Sequence, residues 1–156
     1  MQMSASRGTR IYHVPMTTPA VDLARLREFV HHIPLFRTLH YRLEDLKPGE
    51  AAITAPYTPD HDGIFHSFHG GLLMTLADTA ACAALLSLTG PEQVMTTTDM
   101  NIRFLAPCNS DATARARVIK FGRTIVPLHV DLYDAQGKHV ALAQVTYMRL
   151  EKMPKR

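Results

Sequence analysis

The most informative stretch of this chain is HGGLLMTLADTAACAA, which runs from His69 to Ala84. Its glycines predict a loop that opens into a helix, and nearly every later position is apolar. A helix that is apolar on all sides is expected to be buried. A carboxylate buried with it is costly unless other groups compensate for the lost water. Asp78, the acidic residue inside this stretch, is therefore a candidate functional residue.

Gly70 and Gly71 stand where the predicted helix begins. Glycines let a ligand approach the backbone closely, and the N–H groups of a helix N-terminus favour negative charge. Eight residues at about 1.5 Å each separate Gly70 from Asp78 by roughly 12 Å along the helix axis. One small reacting group cannot touch both on the same helix. The spacing therefore favours a site shared by two antiparallel helices of a dimer.

The chain has 156 residues and a formal net charge of +3. This length predicts a single domain with one sizeable core, which we assign to residues 22–156. Residues 1–21 contain two arginines and two prolines, and we predict that they form a flexible N-terminal arm. The weak positive charge does not indicate a nucleic-acid partner, but it suits a ligand that carries phosphate.

Cysteine content and apolar runs bear on the compartment. Cys82 and Cys108 are the only cysteines, and one pair does not make a disulfide framework. The longest apolar run, Ala80–Leu88, is broken only by Ser87 and is too short to span a bilayer. We therefore predict a cytoplasmic protein in a reducing setting, without a membrane partner.

The hydrophobic pattern predicts an α+β fold in which a curved antiparallel sheet wraps one long central helix. The predicted elements are a short helix from Asp22 to Pro34, strands over 38–46 and 50–57, the central helix from about Gly70 to Leu88, and strands over 94–105, 111–121, 124–134 and 138–150. One sheet covers one side of a helix. We expect a second copy of the chain to cover the other side, in a homodimer at least.

Four segments resemble, in their order and spacing, the hotdog-fold thioesterases of the phenylacetic-acid-pathway, or PaaI-like, type. They are His69-Gly70-Gly71, LADTA at 76–80, TDMNIRFLAP at 98–107 and Gly122-Arg123. The resemblance covers about residues 35–150. It implies the hotdog fold, homodimers that often pair again into homotetramers, and a site between subunits.

The resemblance also implies an activity, the hydrolysis of an acyl-CoA thioester, and we expect a medium-chain or aromatic acyl group. In the family an acidic helix residue is the base or nucleophile, and Asp78 occupies that position. The residue after the loop histidine gives its N–H to the thioester carbonyl, and Gly70 occupies that position. Many members carry an Asn six residues before that histidine, where this chain has Gly63. No cofactor is expected, since coenzyme A arrives as part of the substrate.

Three further residues join Asp78 and Gly70 as catalytic candidates. Gly71 adds a second amide at the helix start, and Thr79 is placed to position a water. His69 is a candidate acid or base, although a loop histidine needs a positioned partner to act so. Its alternative role is to hydrogen-bond the turn into the helix.

Substrate-binding candidates come from charge and from the loop before the helix. Arg103, Arg123 and Lys120 lie at predicted strand ends or turns, where they can receive the phosphates of coenzyme A. The loop candidates are Phe65, Phe68, Asp62 and Gly63, and the two phenylalanines could line an acyl pocket or anchor the loop. The histidines and aspartates of this loop match no zinc-ligand spacing, so no metal site is predicted.

Two other functions stay open. A hotdog dehydratase or hydratase acting on acyl thioesters would use His66 or His69 with Asp78 as an acid–base pair. The loop lacks the proline-rich, histidine-containing motif of that branch. A non-catalytic acyl-CoA-binding hotdog protein is the third possibility, and the missing Asn gives it weight.

Overall fold

A computed structural model describes residues 20–150 of the chain, so the predicted arm over 1–21 lies almost entirely outside the described residues. The helices are α1 (Leu23–His31), α2 (Pro34–Thr38) and α3 (Gly70–Thr89), and a short 3₁₀ turn spans Pro59–His61. The strands are β1 (Arg42–Lys47), β2 (Glu50–Ala55), β3 (Met95–Phe104), β4 (Ala112–Val118), β5 (Ile125–Asp134) and β6 (His139–Arg149).

All six strands join one sheet in the order β1-β2-β4-β5-β6-β3, and every neighbouring pair is antiparallel. α3 packs along one face of this sheet and contacts all six strands. The predicted architecture, one long helix wrapped by a curved antiparallel sheet, is confirmed. β3, the strand that follows α3 in the chain, is left at the edge of the sheet.

Small side chains let α3 approach the sheet closely. The helix buries five alanines and the facing side of β4 buries three more, which are Ala77, Ala80, Ala81, Ala83 and Ala84 with Ala112, Ala114 and Ala116. Leu76 and Leu85 on α3 are fully buried among them. Burial of a leucine contributes about 1.5–3 kcal/mol, so this helix carries much of the core.

Local signals set the helix ends. Asp22 caps α1, where its Oδ1 accepts from the backbone N–H groups of Ala24 and Arg25 at 3.0 and 3.1 Å. Gly90, with φ of 79°, follows the last residue of α3. The strand predicted from residue 38 was wrong at its start, because Pro34 opens the short helix α2 instead of only ending α1. Proline suits the first position of a helix.

Judged by length and composition alone, α3 is long enough and apolar enough to cross a membrane. The run Ala80–Leu88, on which the sequence prediction rested, is shorter than the whole helix. Within its most apolar window, 56% of the residues are buried inside this chain. α3 is therefore the core helix of the fold. The cytoplasmic compartment stays a prediction.

Candidate active site

The Asp78 carboxylate lies where α3 passes the paired strands β3 and β6. Its Oδ1 atom accepts two hydrogen bonds, from the Thr97 hydroxyl and from the Tyr147 hydroxyl, each 2.8 Å long. The Tyr147 hydroxyl also lies 3.2 Å from the Asp78 backbone oxygen. Oδ2 accepts no hydrogen bond from residues 20–150. The carboxylate is thus fixed through one oxygen, and the other can accept from a water or a ligand.

A β-bulge brings Thr97 to this position. The register between β3 and β6 shifts between Thr97 and Asp99. Side chains alternate between the two faces of a strand, so without the shift Thr98 would face the helix opposite Tyr147. The extra residue places Thr97 opposite Tyr147 instead. Bulges near active sites commonly re-aim a side chain in this way.

Burial determines how the groups around Asp78 are protonated. Desolvation raises the pKa of Tyr147 well above its usual value, and the charge of Asp78, joined by that of Cys82 once the thiol ionises, adds to the effect. Desolvation also raises the pKa of Cys82 to about 11, with a contribution from the charge of Asp78. Both groups are therefore neutral near pH 7, and the Tyr147 hydroxyl is available to donate.

Asp78 belongs to a stripe of α3 that the sheet leaves uncovered. The stripe consists of residues that are not fully buried and that recur at helical spacing, which are Gly71, Met74, Thr75, Asp78, Thr79 and Cys82. Thr79 donates its hydroxyl hydrogen to the Thr75 backbone oxygen at 2.6 Å. Its oxygen can therefore accept from a water beside Asp78, but its hydrogen is already in use.

His69 organises the N-terminus of α3. Its Nδ1 accepts a hydrogen bond from the Gly71 N–H at 3.0 Å, and so it caps the helix. This contact corrects the prediction for Gly71, because its amide is bound within the chain. The Gly70 N–H has no acceptor among residues 20–150. Gly70, packed against the Phe104 ring, is thus the amide that remains for a ligand.

Replacing His69 with Ala is expected to lower the free energy of unfolding by about 1 kcal/mol, because the cap acceptor is lost. His69→Asn keeps a side-chain acceptor and is expected to restore most of that stability. Urea unfolding measures both variants. If His69 is only a cap, the Asn variant keeps the wild-type turnover number. A loss of turnover in a stable Asn variant would show that the imidazole takes part in the chemistry.

The loop before α3 is anchored by aromatic packing. Phe68 is buried and stacks on His61, with the ring centroids 5.5 Å apart. Its N–H donates to the Cys108 backbone oxygen at 2.8 Å. Phe68 is therefore the loop anchor, one of its two predicted roles. Phe65 is 87% exposed, so it does not line an acyl pocket within one chain.

Asp62 and Gly63 hold the shape of this loop. The Asp62 carboxylate accepts from the Tyr57 hydroxyl and lies 3.5 Å from the His66 ring. The Gly63 N–H donates to the Ser67 backbone oxygen at 2.8 Å. The structure thus gives both residues partners inside the loop, and neither hydrogen-bonds Asp78.

Arg103 lies on the sheet face that points away from α3. Its neighbours on β3, Ile102 and Phe104, lie opposite buried alanines of β6 and face the helix, so Arg103 between them faces the other way. Its guanidinium donates to Asn101 Oδ1 at 2.6 Å. Within one chain, therefore, Arg103 does not contact Asp78, and its role as a contact for the coenzyme A phosphates stays a prediction.

Lys120 and Arg123 lie in the turn between β4 and β5. Arg123 lines a polar cleft of about 510 Å³, together with Gln93, Thr124, Arg149 and Leu150. Arg149 is two residues beyond Tyr147 on β6, so this turn lies toward the Asp78 end of the site. The structure therefore separates these two cations from Arg103.

Away from Asp78, titratable side chains also gather around Asp131 on β5. Its Oδ1 lies 3.0 Å from His129 Nε2 and 3.1 Å from His139 Nε2. Within residues 20–150, no group of three or more His, Cys, Asp and Glu side chains is arranged to hold a metal ion.

Comparisons with known proteins bear on the same segment. The family model described as Thioesterase superfamily matches residues 65–141, from the loop before α3 into β6. The chain is a hotdog-fold member of the thioesterase superfamily. Its core helix and the strands β3, β4 and β5 thus lie inside the segment that the family shares.

Relatives agree with this assignment. A thioesterase family protein from Silicibacter pomeroyi has a TM-score of 0.77 at 27% identity, over 83% of this chain and 98% of that one. A mutant of the phenylacetic acid degradation protein PaaI from Thermus thermophilus has a TM-score of 0.69 at 28% identity, over 76% and 100%. A Halobacterium salinarum protein with a provisional esterase name is 29% identical over 136 residues, 80% of this chain and 89% of that protein.

Sequence reasoning missed three residues of this thioesterase-superfamily site: Thr97, Tyr147 and Phe104. One signal was available for Tyr147. It continues the helix-facing alternation of β6 through Ala143 and Val145, and a buried tyrosine hydroxyl usually needs a partner. That partner was not visible in the sequence, because Asp78 is 69 residues away along the chain.

Proposed function

We propose that this protein hydrolyses an acyl-CoA thioester to the free acid and coenzyme A, with Asp78 as the base or nucleophile. The observation that carries the proposal is the Asp78 carboxylate. It is fixed through Oδ1 by two hydroxyl groups, on the uncovered stripe of the core helix. Membership of the thioesterase superfamily supports hydrolysis as the reaction.

In the general-base route, Asp78 Oδ2 takes a proton from a water, whose oxygen attacks the thioester carbonyl carbon. The carbonyl oxygen becomes negative and accepts a hydrogen bond from Gly70 of the partner subunit. The C–S bond then breaks, and the coenzyme A thiolate takes the proton that Asp78 holds.

In the nucleophilic route, Oδ2 itself attacks the carbonyl carbon and the thiolate leaves. Water then hydrolyses the mixed anhydride, which returns the carboxylate and releases the acid. The two routes differ in one measurable respect. After a single turnover in heavy-oxygen water, only the nucleophilic route leaves label in the Asp78 carboxylate, provided that water attacks the Asp78 carbonyl carbon.

A homodimer is part of this proposal, because about 12 Å of helix separates Gly70 from Asp78. β3 supports it: this edge strand is ten residues long, and such an edge is normally covered. Four large apolar side chains at the end of β3 and in the loop before α3 are exposed, which are Ile64, Phe65, Phe104 and Leu105. A second copy that pairs along β3 would cover them. A homotetramer would be a pair of such dimers.

Coenzyme A carries phosphates, and Lys120 with Arg123 is our proposed contact for them. Their turn lies toward the Asp78 end of the site, and both side chains are exposed. For the acyl group we propose a medium-chain or aromatic acid. The Thermus relative named for phenylacetic acid degradation favours the aromatic class.

A thiol-release assay over a panel of acyl-CoAs tests the proposal, with short, medium-chain and aromatic acyl groups compared at equal concentration. We expect turnover that is fastest with a medium-chain or aromatic member and that Asp78→Asn abolishes. Hydration of an enoyl-CoA without thiol release would support the dehydratase or hydratase instead. Tight acyl-CoA binding without either reaction would support the non-catalytic protein. Within residues 20–150, Asp78 hydrogen-bonds neither His66 nor His69, so the acid–base pair that the dehydratase would need is not formed within one chain.

A further inference from the structure

We propose that Tyr147 is a positioning residue for Asp78, which holds Oδ1 so that Oδ2 is the oxygen that acts on the substrate or water. The inference rests on the proposed function of Asp78 and adds a residue to it. Tyr147 does not touch the substrate in this account. It acts through the carboxylate alone.

The contacts limit the carboxylate to one orientation. Two hydroxyls, from strands β6 and β3, donate to the same oxygen at 2.8 Å. The Tyr147 hydroxyl also lies 3.2 Å from the Asp78 backbone oxygen, so it is fixed against the helix as well as the side chain. The tyrosine is only 4% exposed, and its ring therefore has no room to swing toward solvent.

Orientation matters here because a carboxylate has two chemically equal oxygens. A half-turn about its terminal bond restores the same arrangement, but any partial rotation moves the lone pairs away from the reacting atom. Holding a catalytic group in the productive geometry accounts for a large part of enzymatic rate enhancement. Two donors on Oδ1 assign different roles to the two oxygens.

Each element packed around Asp78 contributes a different group. α3 contributes Cys82 one turn further along, β6 contributes Tyr147, and β3 contributes the hydroxyl of Thr97, which does not ionise. Burial raises the pKa of both Tyr147 and Cys82. Both are therefore neutral near pH 7, and neither places a second charge beside the carboxylate.

The test is Tyr147→Phe, which removes the hydroxyl and keeps the buried ring. We expect kcat to fall by roughly tenfold with little change in KM, since the loss affects orientation and not binding. We also expect the acid limb of the kcat–pH profile to move to higher pH, because a hydrogen bond to the charged form is lost. A purely structural role would change the unfolding midpoint without moving this limb.

Tyr41→Phe is the matched control. The Tyr41 hydroxyl is also buried, but it has no hydrogen-bond partner among residues 20–150. Its removal should leave kcat and the pH profile unchanged. Should Tyr147→Phe fail to fold, Thr97→Val removes the other donor to Oδ1 and should move the acid limb in the same direction. Thr97→Ser keeps the donor and should restore the wild-type profile.

A readout without substrate separates this inference from the proposed function. In protein labelled with ¹³C at aspartate carboxyl groups, the Asp78 signal is followed by NMR through a pH titration. We expect its midpoint to lie higher in Tyr147→Phe than in wild type and in Tyr41→Phe. Equal midpoints in all three proteins would overturn the role of Tyr147, whatever the activity. A shifted midpoint in a protein that hydrolyses no thioester would leave the positioning intact and overturn the function.

Discussion

Replacing Asp78 with Asn is expected to lower kcat for thioester hydrolysis by about 100- to 10,000-fold, the usual contribution of a positioned general base. The amide has the shape of the carboxylate, and its oxygen can still accept from Thr97 and Tyr147. The variant should therefore fold and unfold as the wild type does. Initial rates of thiol release at saturating substrate measure the loss, and thermal unfolding checks the fold.

The matched control for this variant lies one residue away. Thr79→Val removes a hydroxyl from the same stripe of α3 but leaves the carboxylate and its two donors in place. Because it removes at most one contact to the water and leaves the base intact, we expect a much smaller loss of turnover than in Asp78→Asn. Turnover in Asp78→Asn equal to that of wild type would remove Asp78 from the chemistry.

Replacing Gly70 with Pro is the second change with a large expected effect. Proline lacks the N–H that we assign to the carbonyl oxygen, and loss of one such donor costs on the order of 100- to 1,000-fold in kcat. The backbone tolerates the change for two reasons. Gly70 is the first residue of α3, where proline is favoured. His69 before it has φ of −59° and ψ of 128°, which suits a residue that precedes proline.

Gly70→Ala separates the effect of the amide from that of added bulk. It keeps the N–H, and its Cβ would lie 3.0 Å from the Phe104 ring, so it tests crowding at the same place. Phe104 is half-exposed and can move aside. We expect the Ala variant to lose far less turnover than the Pro variant. Equal losses would mean that crowding, and not the missing N–H, causes the defect.

The sequence predicted the core helix closely because its signals are local. Two glycines open α3 and Gly90 closes it, so the predicted end at Leu88 differs from the observed end at Thr89 by one residue. α2 was missed for a related reason. It has five residues, too few to show helical periodicity, and its only signal is a proline that also ends the preceding segment.

The surroundings of Asp78 were harder to predict than Asp78 itself. A single acidic residue in an apolar helix is visible in the sequence. Its two donors depend on the pairing of β3 with β6 and on a bulge that moves the inward position from Thr98 to Thr97. Strand register and bulges are set by tertiary packing, so no local pattern reports them. The outward direction of Arg103 depends on the same register.

The central claim is that one site combines Asp78 of one subunit with Gly70 of the partner subunit. Subunit mixing tests it most directly. Asp78→Asn and Gly70→Pro chains, each nearly inactive alone, are co-expressed in equal amounts. Half of the dimers are then mixed and each mixed dimer has one intact site, so we predict recovery of about a quarter of the wild-type turnover, whether or not dimers pair further. Mixed protein that stays as inactive as its two parents, although the chains have been shown to associate, would contradict the account.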